Sequence, residues 1–188
     1  MYGYTFYEIV MIFLFWGITG WLIEVIDMKI EAGELQNRGF LHMPICPLYG
    51  IGMLFMCMIF REGRSAYAVL FAFGIIVGSL VEYLTGWLLE KLFHTKWWDY
   101  SHMRFQVKGR VCLRNSILFG FGAILTIGFI QPAVEQTLYR IPPSVGTIVV
   151  DAAVVILVID TIVSVIRALQ YRGECDGENL FVVFKSHR

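Results

Sequence analysis

Five apolar runs divide the chain, at about residues 6–26, 44–60, 66–89, 112–130 and 147–166. Each is continuous rather than alternating, so each predicts a helix, and lipid offers no partner for the open backbone groups of a lone strand. All approach the roughly 20 helical residues that a bilayer crossing takes, the second run being the shortest. Polar positions gather at about 27–43, at 90–111 and in a tail after Arg167. The pattern predicts an all-α membrane protein with five transmembrane helices and no separate soluble domain.

The pattern also recurs. Shifted by 58 residues, FWGITGWLIE (15–24) falls on FGIIVGSLVE (73–82), which aligns Gly20 with Gly78 and Glu24 with Glu82. Shifted by 70, GFLHMPICPLYGIG (39–52) falls on GRVCLRNSILFGFG (109–122), with Tyr49 on Phe119 and an insertion near TKWWDYSHMRFQ to account for the extra length. Each unit is span, loop, span, so both copies enter the membrane in the same direction, as parallel repeats do. The expected organisation is a transmembrane domain over 1–168, made of one hairpin at about 6–60, a second at about 66–130 and a fifth helix at about 147–168. A cytoplasmic tail over 169–188 follows, with a short apolar patch, LFVVF.

Composition strengthens this picture. Of 188 residues, 57% are hydrophobic and 16% charged, and the mean hydropathy of +0.67 is far above that of a soluble domain. The net charge is zero, yet the charges are unevenly placed. With the N-terminus outside, twelve of fifteen Lys and Arg residues fall on the inner side and only Arg61, Arg64 and Arg140 outside. That bias orients the chain N-outside and C-inside, and no basic stripe of the nucleic-acid-binding kind remains. The first run lacks a basic leader and a small-residue cleavage signature, so it reads as a retained span. The four cysteines lie in spans or on the inner side, which argues against a disulfide framework.

Acids inside the apolar runs are the first candidates for chemistry. Glu82 in GIIVGSLVEYLTG lies eight residues before Glu90, about 12 Å inside the helix end. It completes a four-residue spacing with Gly74, Gly78 and Gly86, a small-residue face on which another backbone can approach closely. Glu24 is its partner in the repeat, and two facing carboxylates would share a proton or jointly hold a cation. The plainer reading pairs each with an arginine such as Arg38 or Arg110 to fix helix packing. Asp160 sits near the middle of the fifth run, with Arg167 seven residues on along the same face. Pro44 and Pro47 predict an irregular turn where the second span begins. His42, Cys46 and Cys112 form a weak soft-metal candidate without a tight CxxC, and no motif names a cofactor. The insertion KWWDYSHMRF puts Asp99 among aromatic residues and ahead of Arg104, Lys108, Arg110 and Arg114. It suits an aromatic belt, a lid over the inner mouth, or contact with anionic headgroups. Tyr49 and Asn115, polar positions of the two aligned second spans, complete the candidate site.

Together NRGFLHMPICPLYG, LVEYLTGWLLEKLFHTKWWDYS and GRVCLRNSILFG resemble the CmpB-like, ABC-transporter type IV family of small bacterial integral membrane proteins, from about Gly17 to Asp160. The resemblance implies a multi-spanning permease-like role. Its matched motif positions are Glu24, Arg38, Gly39, Pro44, Cys46, Pro47, Tyr49, Glu82, Trp98, Asp99, Gly109, Arg110 and Asp160. The chain has no GxxxxGK followed by Ser or Thr, so an ATPase would be a separate subunit. The expected function is a transporter or permease component with Glu24, Glu82 and Asp160 binding a cation or proton. Arg38, Arg110 and the Asp99 loop would shape its cytoplasmic entrance, and a homodimer would enlarge the pathway. The alternatives are an enzyme acting on a lipid at the cytoplasmic interface, or a structural or regulatory membrane subunit.

Overall fold

The structure, a computed structural model, describes residues 4–33, 39–61 and 66–171; Arg38, Cys175 and the LFVVF patch lie outside the described residues. It is helical apart from one two-stranded ribbon among the described residues. Four helical segments, Phe6–Ile30, Tyr67–Phe93, Leu113–Leu138 and Ser144–Gln170, are long and apolar enough to cross a membrane. A shorter apolar helix accompanies them.

Helix α1 (Phe6–Ala32) starts at a capping box: Glu8 N donates to Thr5 Oγ1, and Thr5 N donates to Glu8 Oε2. Both exchanges satisfy first-turn N–H groups that a helix cannot satisfy itself. It stops at Gly33, whose φ of +76° suits a residue without Cβ.

The expected second span, 44–60, is shorter in the structure. Helix α2 covers only Pro47–Ile59, 13 residues, which is about 20 Å of rise against a hydrocarbon core of about 30 Å. The prolines are the physical reason. Pro47 takes the first helical turn, where no N–H is needed, and Cys46 before it is held extended. Cys46 N instead donates to Gly17 O at 2.9 Å, half-way along α1. Residues 39–46 are therefore irregular backbone lying beside the later half of α1. From there α2 runs back along α1, with Gly50 against Phe13 and Arg61, past the helix end, over the Tyr4 ring at 4.6 Å.

A second helical hairpin follows. Helix α3 (Tyr67–Phe93) packs its glycine face on α4 (Leu113–Leu125): Gly74 meets Ala123, and Gly78 faces the Phe119 ring. Ser79 meets Ser116, so α4 begins at the depth of Glu82. The chain between them folds back beside the last turns of α3, putting Trp98 and Arg110 against Gly86. Strands β1 (Gln106–Val107) and β2 (Val111–Cys112) pair antiparallel there, Val107 opposite Val111. Their turn includes Gly109 at φ +71°, where an added Cβ would strike Asp99, Ser101 and Lys96. Contacts across the hairpins correspond: Gly20 faces Tyr49 as Gly78 faces Phe119, and Gly50 meets Phe13 as Gly120 meets Phe71.

Past α4 a π-helical stretch, Thr126–Ile130, leads into α5 (Gln131–Leu138). Gln131 N reaches back five residues to Thr126 O, and the Pro132 ring, which lacks an N–H, explains the widened turn. Helix α6 (Pro143–Tyr171) runs parallel to α1, Gly146 beside Tyr7 at one end. At the other end Ala168 packs with Phe93 and Trp97. Trp97 is thus a packing residue rather than a belt residue. A cluster around Ile12, Trp16, Cys57, Leu70 and Ile127 joins both hairpins, while residues such as Ile76 and Ile148 point outward to lipid. The chain is a multi-pass membrane protein.

Candidate functional site

Glu82 sits on the small-residue face of α3 and is only 5% exposed. Its Oε1 accepts from Tyr100 OH at 3.1 Å and from Asn115 Nδ2 at 3.2 Å. Asn115 Nδ2 also donates to Tyr100 OH, at 2.9 Å, which closes a triangle. Asn115 is in the first turn of α4, so the early start of that helix brings its amide to the carboxylate. Glu82 Oε2 is buried and has no hydrogen-bond partner among the described residues. One turn along α3, Ser79 and Ser116 share a hydrogen bond of 2.7 Å, and Ser116 Oγ donates to Cys112 O at 3.1 Å.

Tyr100 is aimed by the loop around it. Tyr100 N donates to Gly109 O at 2.8 Å, and Gly109 N donates to Gln106 Oε1 at 2.6 Å, so the ribbon turn holds the tyrosine backbone. Asp99 ties the preceding corner, accepting from Ser101 N at 2.9 Å and from Lys96 Nζ at 2.9 Å. Burial opposes ionisation of Asp99, but the bonds from Ser101 and Lys96 outweigh it and hold the carboxyl below the usual carboxylate range.

Glu24 on α1 accepts from Tyr49 OH at 2.8 Å. It lies near enough to Glu82 for the two carboxylates to interact electrostatically, as do the Tyr49 and Tyr100 hydroxyls. Each hairpin thus contributes a glutamate bonded to a tyrosine, and the pairs adjoin. Arg110, a candidate partner for Glu82, goes elsewhere: Nε and Nη2 bind Glu90 at 2.9 and 2.8 Å, and Nη1 donates to Tyr83 OH at 3.2 Å. It fastens the returning loop to the end of α3.

Asp160 stands apart from the glutamates. It accepts from Met43 N at 2.8 Å, His42 N at 3.2 Å and His42 Nδ1 at 2.8 Å. Those are the donors of the irregular segment before α2, which at this depth need protein partners. The expected stretch from Asp160 to Arg167 is spanned by a third residue, since Arg167 Nη1 lies 2.7 Å from His42 Nε2. His42, Cys46 and Cys112 do not gather: among the described residues no group of three or more His, Cys, Asp or Glu could hold a metal ion.

A model of the family described as Putative ABC-transporter type IV matches residues 11–165. The chain belongs to that family. No curated protein and no solved structure matches it. The matched region takes in both glutamates, both tyrosines, Asn115 and Asp160.

A further polar cluster in the family region went unnoticed in the sequence. Trp16 Nε1 donates to the buried Gln131 Oε1 at 2.7 Å. Gln131 Nε2 and Tyr4 OH both donate to Glu135 Oε1, at 3.0 and 2.7 Å. The bundle therefore has polar contacts toward both of its ends, with the apolar cluster around Ile12 and Ile127 between them. The available signal was Gln131 beside Pro132, just past an apolar run.

Proposed function

We propose that this protein is the membrane-embedded component of a transporter in which Glu82, with Glu24 beside it, takes up a proton or a cation. One observation carries the reading: among the described residues Glu82 Oε2 is buried without a donor while Oε1 has two. An ionised carboxylate left so at membrane depth costs several kcal/mol, and a bound proton or cation offsets that cost. Tyr49, Tyr100 and Asn115 hold the acceptor oxygens in place. Asp99 and Arg110 set the loop over the inner mouth, and Asp160 fixes the segment before α2. Arg38, outside the described residues, belongs to the same entrance in this reading.

The corresponding glycine contacts of the two hairpins support parallel repeats about an axis along the membrane normal. The Lys and Arg bias supports the N-outside, C-inside orientation in a bacterial cytoplasmic membrane. With no phosphate loop in the chain, the family name points to a separate ATPase partner, and a second copy would widen the pathway.

Glu82→Gln tests the site. Glutamine keeps the acceptor for Tyr100 and Asn115 but cannot carry the proton. Proteoliposomes holding a pH-sensitive dye, under imposed proton and alkali-cation gradients, should lose at least about tenfold of their flux with thermal stability unchanged. Equal flux in the folded variant and the wild type would sink the carboxylate mechanism.

A further inference from the structure

We infer that Arg167, positioned by His42, anchors a phosphate-binding site on the face of the bundle that carries the two long loops, apart from the carboxylate site. Arginine can only donate, so the 2.7 Å contact of Arg167 Nη1 with His42 Nε2 makes that nitrogen the acceptor. The ring proton therefore sits on Nδ1, facing Asp160 Oδ1 at 2.8 Å and Ser164 Oγ at 3.1 Å. Asp160 is buried and committed to His42 and the backbone of residues 42–43. The result is a chain of three side chains ending in a guanidinium held in place by a neutral acceptor.

A structural arginine is normally matched by an acid, as Arg110 is by Glu90. Arg167 has no ion pair among the described residues, and its contact to His42 occupies one edge of a five-donor fork. Proximity to the C-terminal end of α6 accounts for a cation there, but not for a carboxylate and an imidazole that aim it. A guanidinium with no carboxylate of its own, aimed through His42 and with its remaining donors free of an ion pair among the described residues, fits a phosphate oxygen pair at the end of a membrane helix. The ligand chemistry is a phosphate monoester or free phosphate; its source is either an anionic lipid headgroup or a soluble ion.

The test uses the full chain in phosphatidylcholine nanodiscs. One arm adds phosphatidic acid to the lipid and counts molecules retained per chain by native mass spectrometry. The other titrates inorganic phosphate by calorimetry. Arg167→Gln should weaken binding about tenfold or more, and Arg167→Lys should weaken it partly, because a lysine has no fork. Arg140→Gln, at an exposed arginine toward the other end of the bundle, should bind as wild type. Dependence on Arg167 in the first arm assigns a lipid headgroup, and in the second a soluble phosphate. Equal losses at Arg167 and Arg140, or no dependence on Arg167 in either arm while helix content is preserved, would overturn the site.

Discussion

Removing the Asp160 carboxylate measures what holds the irregular segment before α2. In Asp160→Ala the N–H groups of His42 and Met43 lose their acceptor, and His42 Nδ1 loses the carboxylate and keeps only Ser164 Oγ. Bonds to charged groups contribute about 1.5–3 kcal/mol each in soluble proteins. Within membranes the figure falls to about 0.6–1.7 kcal/mol, because the unfolded chain also finds partners there. Three such bonds put the loss at about 2–5 kcal/mol. Asp160→Asn should cost about half as much, since its carbonyl still accepts while its amide meets a donor. Unfolding in bicelles, followed by steric trapping, measures the stability, and hydrogen exchange at His42 and Met43 reports the local release. If Asp160→Ala stays within about 0.5 kcal/mol of wild type with exchange at 42–43 unchanged, the carboxylate does not organise this segment.

Gly20→Leu and Gly78→Leu should each destabilise by about 1–3 kcal/mol, because a side chain at either position runs into the Tyr49 or Phe119 ring. Gly52→Ala and Gly122→Ala, which open on empty space, should be neutral or slightly stabilising in the same thermal assay. Asp99 supplies the pH dependence. Its folded carboxyl lies below the ordinary value of 3.8, so its contribution is present above that value and lost as pH falls through the lowered one. Hydrogen exchange across residues 99–109 should rise below about pH 4 in the wild type, and Asp99→Asn should remove that rise.

The long helices were legible because an apolar run of bilayer length has few other fates. The glycine spacing around Glu82 also foretold its close packing on α4, since only a backbone without side chains leaves that room. The prolines announced a broken start to the second span, though not that the helix would begin level with Gly17. That depth is set by a backbone bond between Cys46 and α1, which no local pattern encodes. The role of Asp160 was hidden for a related reason. Helical spacing directed attention to Arg167 on its own helix, whereas its partners are 117 and 118 residues away. Tyr100 read as one of several aromatic residues in an insertion; the ribbon and its left-handed turn aim it at Glu82.

The distance in sequence between Met43 and Asp160 also bears on how the protein is made. Synthesis delivers the N-terminal hairpin first, and the acceptor for its unwound segment arrives 117 residues later. A nascent chain that has passed Leu138 but not yet received α6 holds a first hairpin whose backbone at residues 42–43 still lacks its acceptor. Maturation is therefore circular in order: α6, made after both hairpins, completes a segment of the first of them.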